Sequence, residues 1–187
     1  MRTSTIVLDP DRVINKLDTD DLRDWLGMPR RGTDGDDERV MVLDGILRSA
    51  LEACEAYCGR SIIVKKYETT SADTIIPLVP DVVSVIDVQA WDGRKWLSAK
   101  RDHFDADLET STGYVHILEP PAGTSTYKVL YTAGYRRIPE RILIAMKEYT
   151  KRMYERADDP MPYIRSYLEP YRTRERRPNV QYPRHSR

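Results

Sequence analysis

The sequence predicts an α+β fold: a small helical bundle of two long helices plus a short one, with an inserted small antiparallel β-sheet. Two observations carry that reading. Apolar side chains fall three and four residues apart over 38–58 and again over 139–157, the spacing of one buried helical stripe. Between them, residues 61–132 change to a period of two and are rich in Val, Ile, Tyr and Thr. A block of strands bracketed by helices, rather than strands and helices in alternation, separates α+β from α/β.

From the N-terminus, residues 1–16 show no sustained period and read as an extended arm. "DTDDLRDWLG" (18–27) reads as a short helix, capped by Asp or Thr and stopped by Gly27. The loop "MPRRGTDGDDE" (28–38) leads into the first long helix, 38–58, with its stripe of Val40, Leu43, Leu47, Ala50, Cys54 and Tyr57. Asp36 or Asp37 can cap it, and Gly59 supplies a left-handed stop. Gly45 in its interior costs up to about 1 kcal/mol against Ala. Strands are expected at 61–68, 81–91, 113–118 and 126–132, separated by Pro77 and Pro80, by Asp92-Gly93, and by "EPPAG" (119–123). Asp92-Gly93, lying between Trp91 and Trp96, predicts a tight hairpin.

The last strand runs into "YTAGYRRIP" (131–139), where two patterns meet. Gly134 permits a sharp change of direction, and Pro139 starts a helix at a position whose N–H would have no partner anyway. That segment hands the chain from sheet to helix. The helix 139–157 buries Ile142, Ala145, Met146, Tyr149 and Met153, and residues 161–172 add one short helical turn between prolines. From Tyr171 onward there is no core-forming pattern. One domain over 17–170 with a mobile tail, 171–187, is expected.

Charge is balanced in total, 30 basic against 30 acidic side chains, but not along the chain. Residues 1–59 hold 13 acidic and 8 basic groups, 60–170 hold 16 of each, and 171–187 hold six Arg and one Glu. An acidic front and a basic tail point to contacts between unlike surfaces, including those of two copies. Twelve Tyr against one Phe suit half-wet interfaces. No apolar run approaches the roughly 18 residues a membrane span needs, and no apolar block marks a signal peptide. The chain is therefore expected to be made and kept in the cytosol, or in something assembled there.

Little of the pattern supports catalysis. There is no glycine-rich phosphate loop, no G-x-S-x-G and no H-E-x-x-H. Cys54 and Cys58 share one helix face without a second Cys pair or paired His, which makes them buried apolar groups rather than zinc ligands. The most metal-like cluster is Asp102, His103, Asp105, Asp107 and Glu109, but it lacks the Gly and the terminal Glu of a calcium loop. It reads as a solvated hairpin. His103, His116 and His185 lie far apart, with no nucleophile context. No catalytic residue, metal or cofactor is expected.

The tail is more distinctive. Tyr171, Arg172, Arg174, Arg176, Arg177, Tyr182 and Arg184 interleave aromatic rings with guanidinium groups. Nucleic acid can use both through phosphate pairing and stacking, and an acidic protein groove can use them equally well.

Four motifs in order carry a family resemblance. They are Glu55, Tyr57, Gly59, Arg60 and Ile62 at a helix end; Pro80, Val83, Ser84 and Val85 in a strand; Tyr131 to Gly134 with Pro139; and "MYER" (153–156). Over roughly residues 17–172 the chain resembles the head–tail connector (adaptor, or head-completion) proteins of tailed phages and gene transfer agents. The resemblance implies a structural subunit of the virion neck, not an enzyme. Such a subunit forms a ring with copies of itself, twelve-fold when seated on the portal, and extends the DNA channel. Its partners would be the portal and the next neck, stopper or tail-terminator protein. Genomic DNA would pass without sequence-specific binding, and no membrane would be involved. The tail residues Tyr171 to Arg184 would dock on the portal. The longer, more basic loop at 28–35 and the Arg-rich tail depart from the family pattern. A DNA-binding packaging accessory that grips phosphates with the tail is the alternative, and a metal-dependent enzyme using Asp102–Glu109 is a third.

Overall fold

The computed structural model describes residues 3–8, 24, 36–108, 112–121, 123–155, 159–173 and 180–181. Of the expected helix 18–27 only Asp24, which is helical, falls among them, and the loop 28–35 lies outside. The chain divides into two compact units, one of residues 1–10, 63–136 and 175–187, the other of 11–62 and 137–174.

The first unit overturns the expected fold class. Two sheets stand where one small insert was expected, so the protein is rich in sheet rather than a helical bundle with an inserted sheet. The strands are β1 (Ser4–Val7), β2 (Lys65–Ser71), β3 (Ile75–Pro77), β4 (Val82–Trp91), β5 (Trp96–Ser98), β6 (Phe104–Asp107), β7 (Tyr114–Ile117), β8 (Tyr127–Ala133) and β9 (Val180–Gln181). The larger sheet has the order β5-β4-β8-β2-β1-β9 and the smaller β3-β7-β6. β5 was implied by the expected hairpin, but β1, β3, β6 and β9 were not among the expected strands, each offering only two to four residues, without the clear apolar alternation of the equally short β7. The strand expected at 61–68 begins only at Lys65, because Ser61 to Ile63 are buried in the turn that precedes it.

The inner faces of the two sheets share a core. Tyr67, Val88, Ala90, Tyr127, Val129 and Tyr131 from the larger meet Ile76, Val115 and Ile117 from the smaller. Pairing of β4 with β8 slips twice, between Val82 and Ser84 and between Val85 and Asp87, leaving Val83 and Ile86 outside the register. Such bulges bend a strand and re-aim its side chains, and Ile86 is accordingly exposed. The Asp92-Gly93 hairpin forms as expected. Trp91 pairs with Trp96, Gly93 has φ +95°, and the Arg94 and Lys95 N–H groups both donate to Asp92 Oδ1 at 2.8 Å.

The second unit is helical, with α1 (Asp36–Cys58), α2 (Glu140–Tyr154) and α3 (Met161–Leu168) packed together. Leu43, Leu47, Ala50, Cys54 and Cys58 of α1, Ile142, Ala145 and Met146 of α2, and Ile164 and Leu168 of α3 are buried. Thr150 takes the buried place on α2 that was expected of Met153, its hydroxyl donating to the Met146 carbonyl at 2.8 Å. Cys54 and Cys58 are free and buried, and burial pushes the Cys54 thiol up to about 12. Among the described residues, no helix is long and apolar enough to cross a membrane.

Gly45 lies exposed on α1, and a Cβ added there meets nothing within 4 Å. Only backbone entropy then separates it from alanine. Gly45→Ala is expected to stabilise the chain by up to about 1 kcal/mol, read as a higher urea midpoint at unchanged slope.

Candidate functional site

The residues of the sequence signature gather at two places, one in each unit. In the helical unit, Glu55 is buried at the last turn of α1, and its Oε1 accepts the Ile62 N–H at 3.0 Å. The carboxylate thereby closes the turn that Gly59 opens with φ +78°, where the Gly59 N–H donates to the Glu55 carbonyl. Arg60 is half-buried beside it. Removing the carboxylate strands a buried N–H, so Glu55→Ala should cost about 1–3 kcal/mol in a urea titration. A change within a few tenths of a kcal/mol would contradict that role.

Tyr57 points from the same turn to the tail's root. Its hydroxyl donates to Glu169 Oε2 at 2.5 Å, and this hydrogen bond is the main cause pushing the phenol's pKa upward. Tyr171 ends a short 3-10 turn, Glu169–Tyr171, and the Arg172 guanidinium lies 5.5 Å from the centre of the Tyr57 ring. Thr173 then ties the chain down. Its N–H donates to the Cys58 carbonyl at 2.7 Å, and its hydroxyl reaches the Cys58 and Gly59 carbonyls at 3.1 Å. These are carbonyls that a helix end leaves without intrahelical donors. Ser166, Glu169, Pro170, Arg172 and Thr173 line an open depression of about 600 Å³ here. Of the tail residues singled out in the sequence, Arg172 is therefore seated on the end of α1, and Tyr171 ends the short turn before it. Arg174, Arg176, Arg177, Tyr182 and Arg184 lie outside the described residues.

In the sheet unit, Tyr131 is fully buried and stacks on Tyr67 with ring centres 5.5 Å apart. Its hydroxyl accepts the Val79 N–H at 3.1 Å and pairs with the Thr69 hydroxyl at 3.0 Å, which pairs with Thr5 at 2.9 Å. Burial pushes the Tyr131 phenol up to about 12. This chain of hydroxyls ties β1, β2 and β8 to the segment before β4. Gly134 follows with φ +129°, and Pro139 immediately precedes α2, one position earlier than expected, its carbonyl accepting the Ile142 and Leu143 N–H groups. Neither Thr5 nor Thr69 was singled out by sequence. The alternation in "STIV" was the available signal, and four residues made it faint.

The acidic segment forms one arm of the expected hairpin, β6 running antiparallel to the next strand in sequence, β7. Arg101–His103 is a 3-10 turn and Phe104–Asp107 is the edge strand of the smaller sheet, paired with β7. His103 Nε2 lies 3.8 Å from both Asp102 and Glu119, while Asp105 and Asp107 point to solvent. Glu109 lies outside the described residues. Among those described, no three His, Cys, Asp or Glu side chains come together as a metal site would require.

No family model matches the chain, and no curated protein matches it. Its fold does match solved structures. A chain in the neck of an empty gene transfer agent particle, computed with C6 symmetry, aligns with a TM-score of 0.73 at 17% identity, over 95% of this chain and 98% of that one. A chain in the virion of a native gene transfer agent aligns at 0.68 and 19% identity, covering 88% and 93%. A third, in the neck of the native particle computed with C12 symmetry, aligns at 0.63 and 19%, covering 88% and 92%. At such identities the shared property is the fold. It is the fold of chains found where the sequence resemblance pointed.

Proposed function

We propose that the protein is a structural, non-enzymatic subunit of a virion neck, a head–tail connector. Copies close into a ring under the portal, extend the DNA channel, and give the next neck or tail protein its platform. The observation that carries this is the end-to-end match in fold to a neck chain, over 95% of this chain and 98% of that one. The site geometry supports it from another side. The signature residues Glu55, Gly59, Tyr131 and Gly134 hold turns and strands in place, as a scaffold requires.

A ring subunit needs two unlike lateral faces that meet head to tail and close by rotation. The acidic front and basic tail supply unlike charge for such faces. The portal is the partner of the tail residues Tyr171 to Arg184, by bidentate Arg–carboxylate pairing and tyrosine packing. DNA passes through the ring without being read.

Co-sedimentation with purified portal tests this reading. The protein should pellet with the portal, and its affinity for duplex DNA should stay weak at low salt. Tight DNA binding that falls steeply with salt, without portal association, would instead establish the packaging accessory.

A further inference from the structure

The outermost strand of the larger sheet comes from the far end of the chain. β1 is held by β2 over four residue pairs, from Ser4↔Thr70 to Val7↔Tyr67, but on its other side by only two, Thr5↔Val180 and Ile6↔Gln181. That second pairing is parallel, unlike the other described pairings. Without β9, β1 would be an open edge, its backbone groups bare and the exposed Ile6 and Leu8 beside it. Two residue pairs do not hold a strand by their own hydrogen bonds. The tether's effective concentration does.

We propose that the β1 edge is a strand-exchange site, filled in the assembled ring by Val180–Gln181 of the neighbouring copy. This rests on the ring reading above. The same residues pair in the same register whether the strand comes from its own chain or the next, so exchange forfeits nothing in the ladder. The occupant is fixed by sequence, because the strand already seated on β1 is this chain's own. Donation always in one direction joins every subunit to the following one and closes with the ring.

A disulfide test separates the donors. Neighbouring strands lie about 4.7–4.9 Å apart, within the reach of a disulfide, and the native Cys54 and Cys58 are buried. Subunits carrying Ile6→Cys are mixed with differently tagged subunits carrying Gln181→Cys, assembled on the portal, oxidised, and run without reductant. The expected product is a mixed dimer that reductant dissolves. A chain carrying both substitutions should give a covalent ladder up to ring size. Thr5→Cys with Val180→Cys repeats the test one position along. Negative-stain images of the same samples report the ring. Rings that yield only monomers, or only an internal disulfide in the doubly substituted chain, overturn the exchange and leave the connector reading standing. A wild-type chain that forms no ring, with or without portal, overturns both.

Discussion

Gly134→Ala is expected to cost more than about 4 kcal/mol and to leave the sheet unit largely unfolded at ordinary temperature. Gly134 follows β8 with φ +129°, a conformation L side chains rarely adopt. An added Cβ would lie 2.2 Å from the Ile63 carbonyl oxygen, 2.5 Å from its carbon and 2.9 Å from the Val64 nitrogen. All three are backbone atoms on the approach to β2, the strand with which β8 pairs from Lys65↔Ala133 onward. A side chain could swing aside, but these atoms cannot move without shifting the ladder. The Gly134 N–H also donates to the Asp81 carbonyl at 2.9 Å, tying the entry of β4 to the same point. Far-UV circular dichroism and a urea titration read the outcome, and a midpoint within error of wild type would show that the close approach is relieved at little cost.

Removal of the tail is expected to weaken portal association by on the order of 100-fold or more. Each exposed Arg–carboxylate pair contributes only about 0.2–1 kcal/mol, but a ring repeats it, and simultaneous engagement multiplies weak contacts. Thr173 caps the Cys58 and Gly59 carbonyls and Arg172 covers Tyr57, so deleting 171–187 also disturbs the end of α1. Deleting 174–187 spares those contacts. It also removes β9 from the β1 edge, so replacing Arg174, Arg176, Arg177 and Arg184 by Ala is the variant that should lose portal association at an almost unchanged urea midpoint, whereas the deletion of 171–187 should lose both. Unchanged portal association alongside lost DNA binding would assign the arginines to phosphates.

The helices were legible because 23 and 15 residues give a 3.6-residue period room to repeat, and their buried faces came out nearly as expected. The Asp92-Gly93 hairpin was legible because its chemistry is local. The second sheet was not, since Ile75–Pro77 and Phe104–Asp107 carry too few residues to show alternation. "DHFDAD" also drew the eye to its carboxylates rather than to Phe104 and Ala106, which pack against the core between them. The signature residues were named correctly as positions, but their physical roles needed distances. That Glu55 accepts the Ile62 N–H, or that Tyr131 joins Thr69 to Val79, follows from no spacing rule. Thr173 was missed altogether, because a charge-rich tail masks a single hydroxyl that caps a helix 115 residues away.

The most direct test of the connector reading is a negative-stain image of the purified protein mixed with its portal. A closed ring stacked coaxially on the portal, with a central opening continuous with the portal channel, is the predicted result. Portal particles left bare beside dispersed single subunits would contradict it.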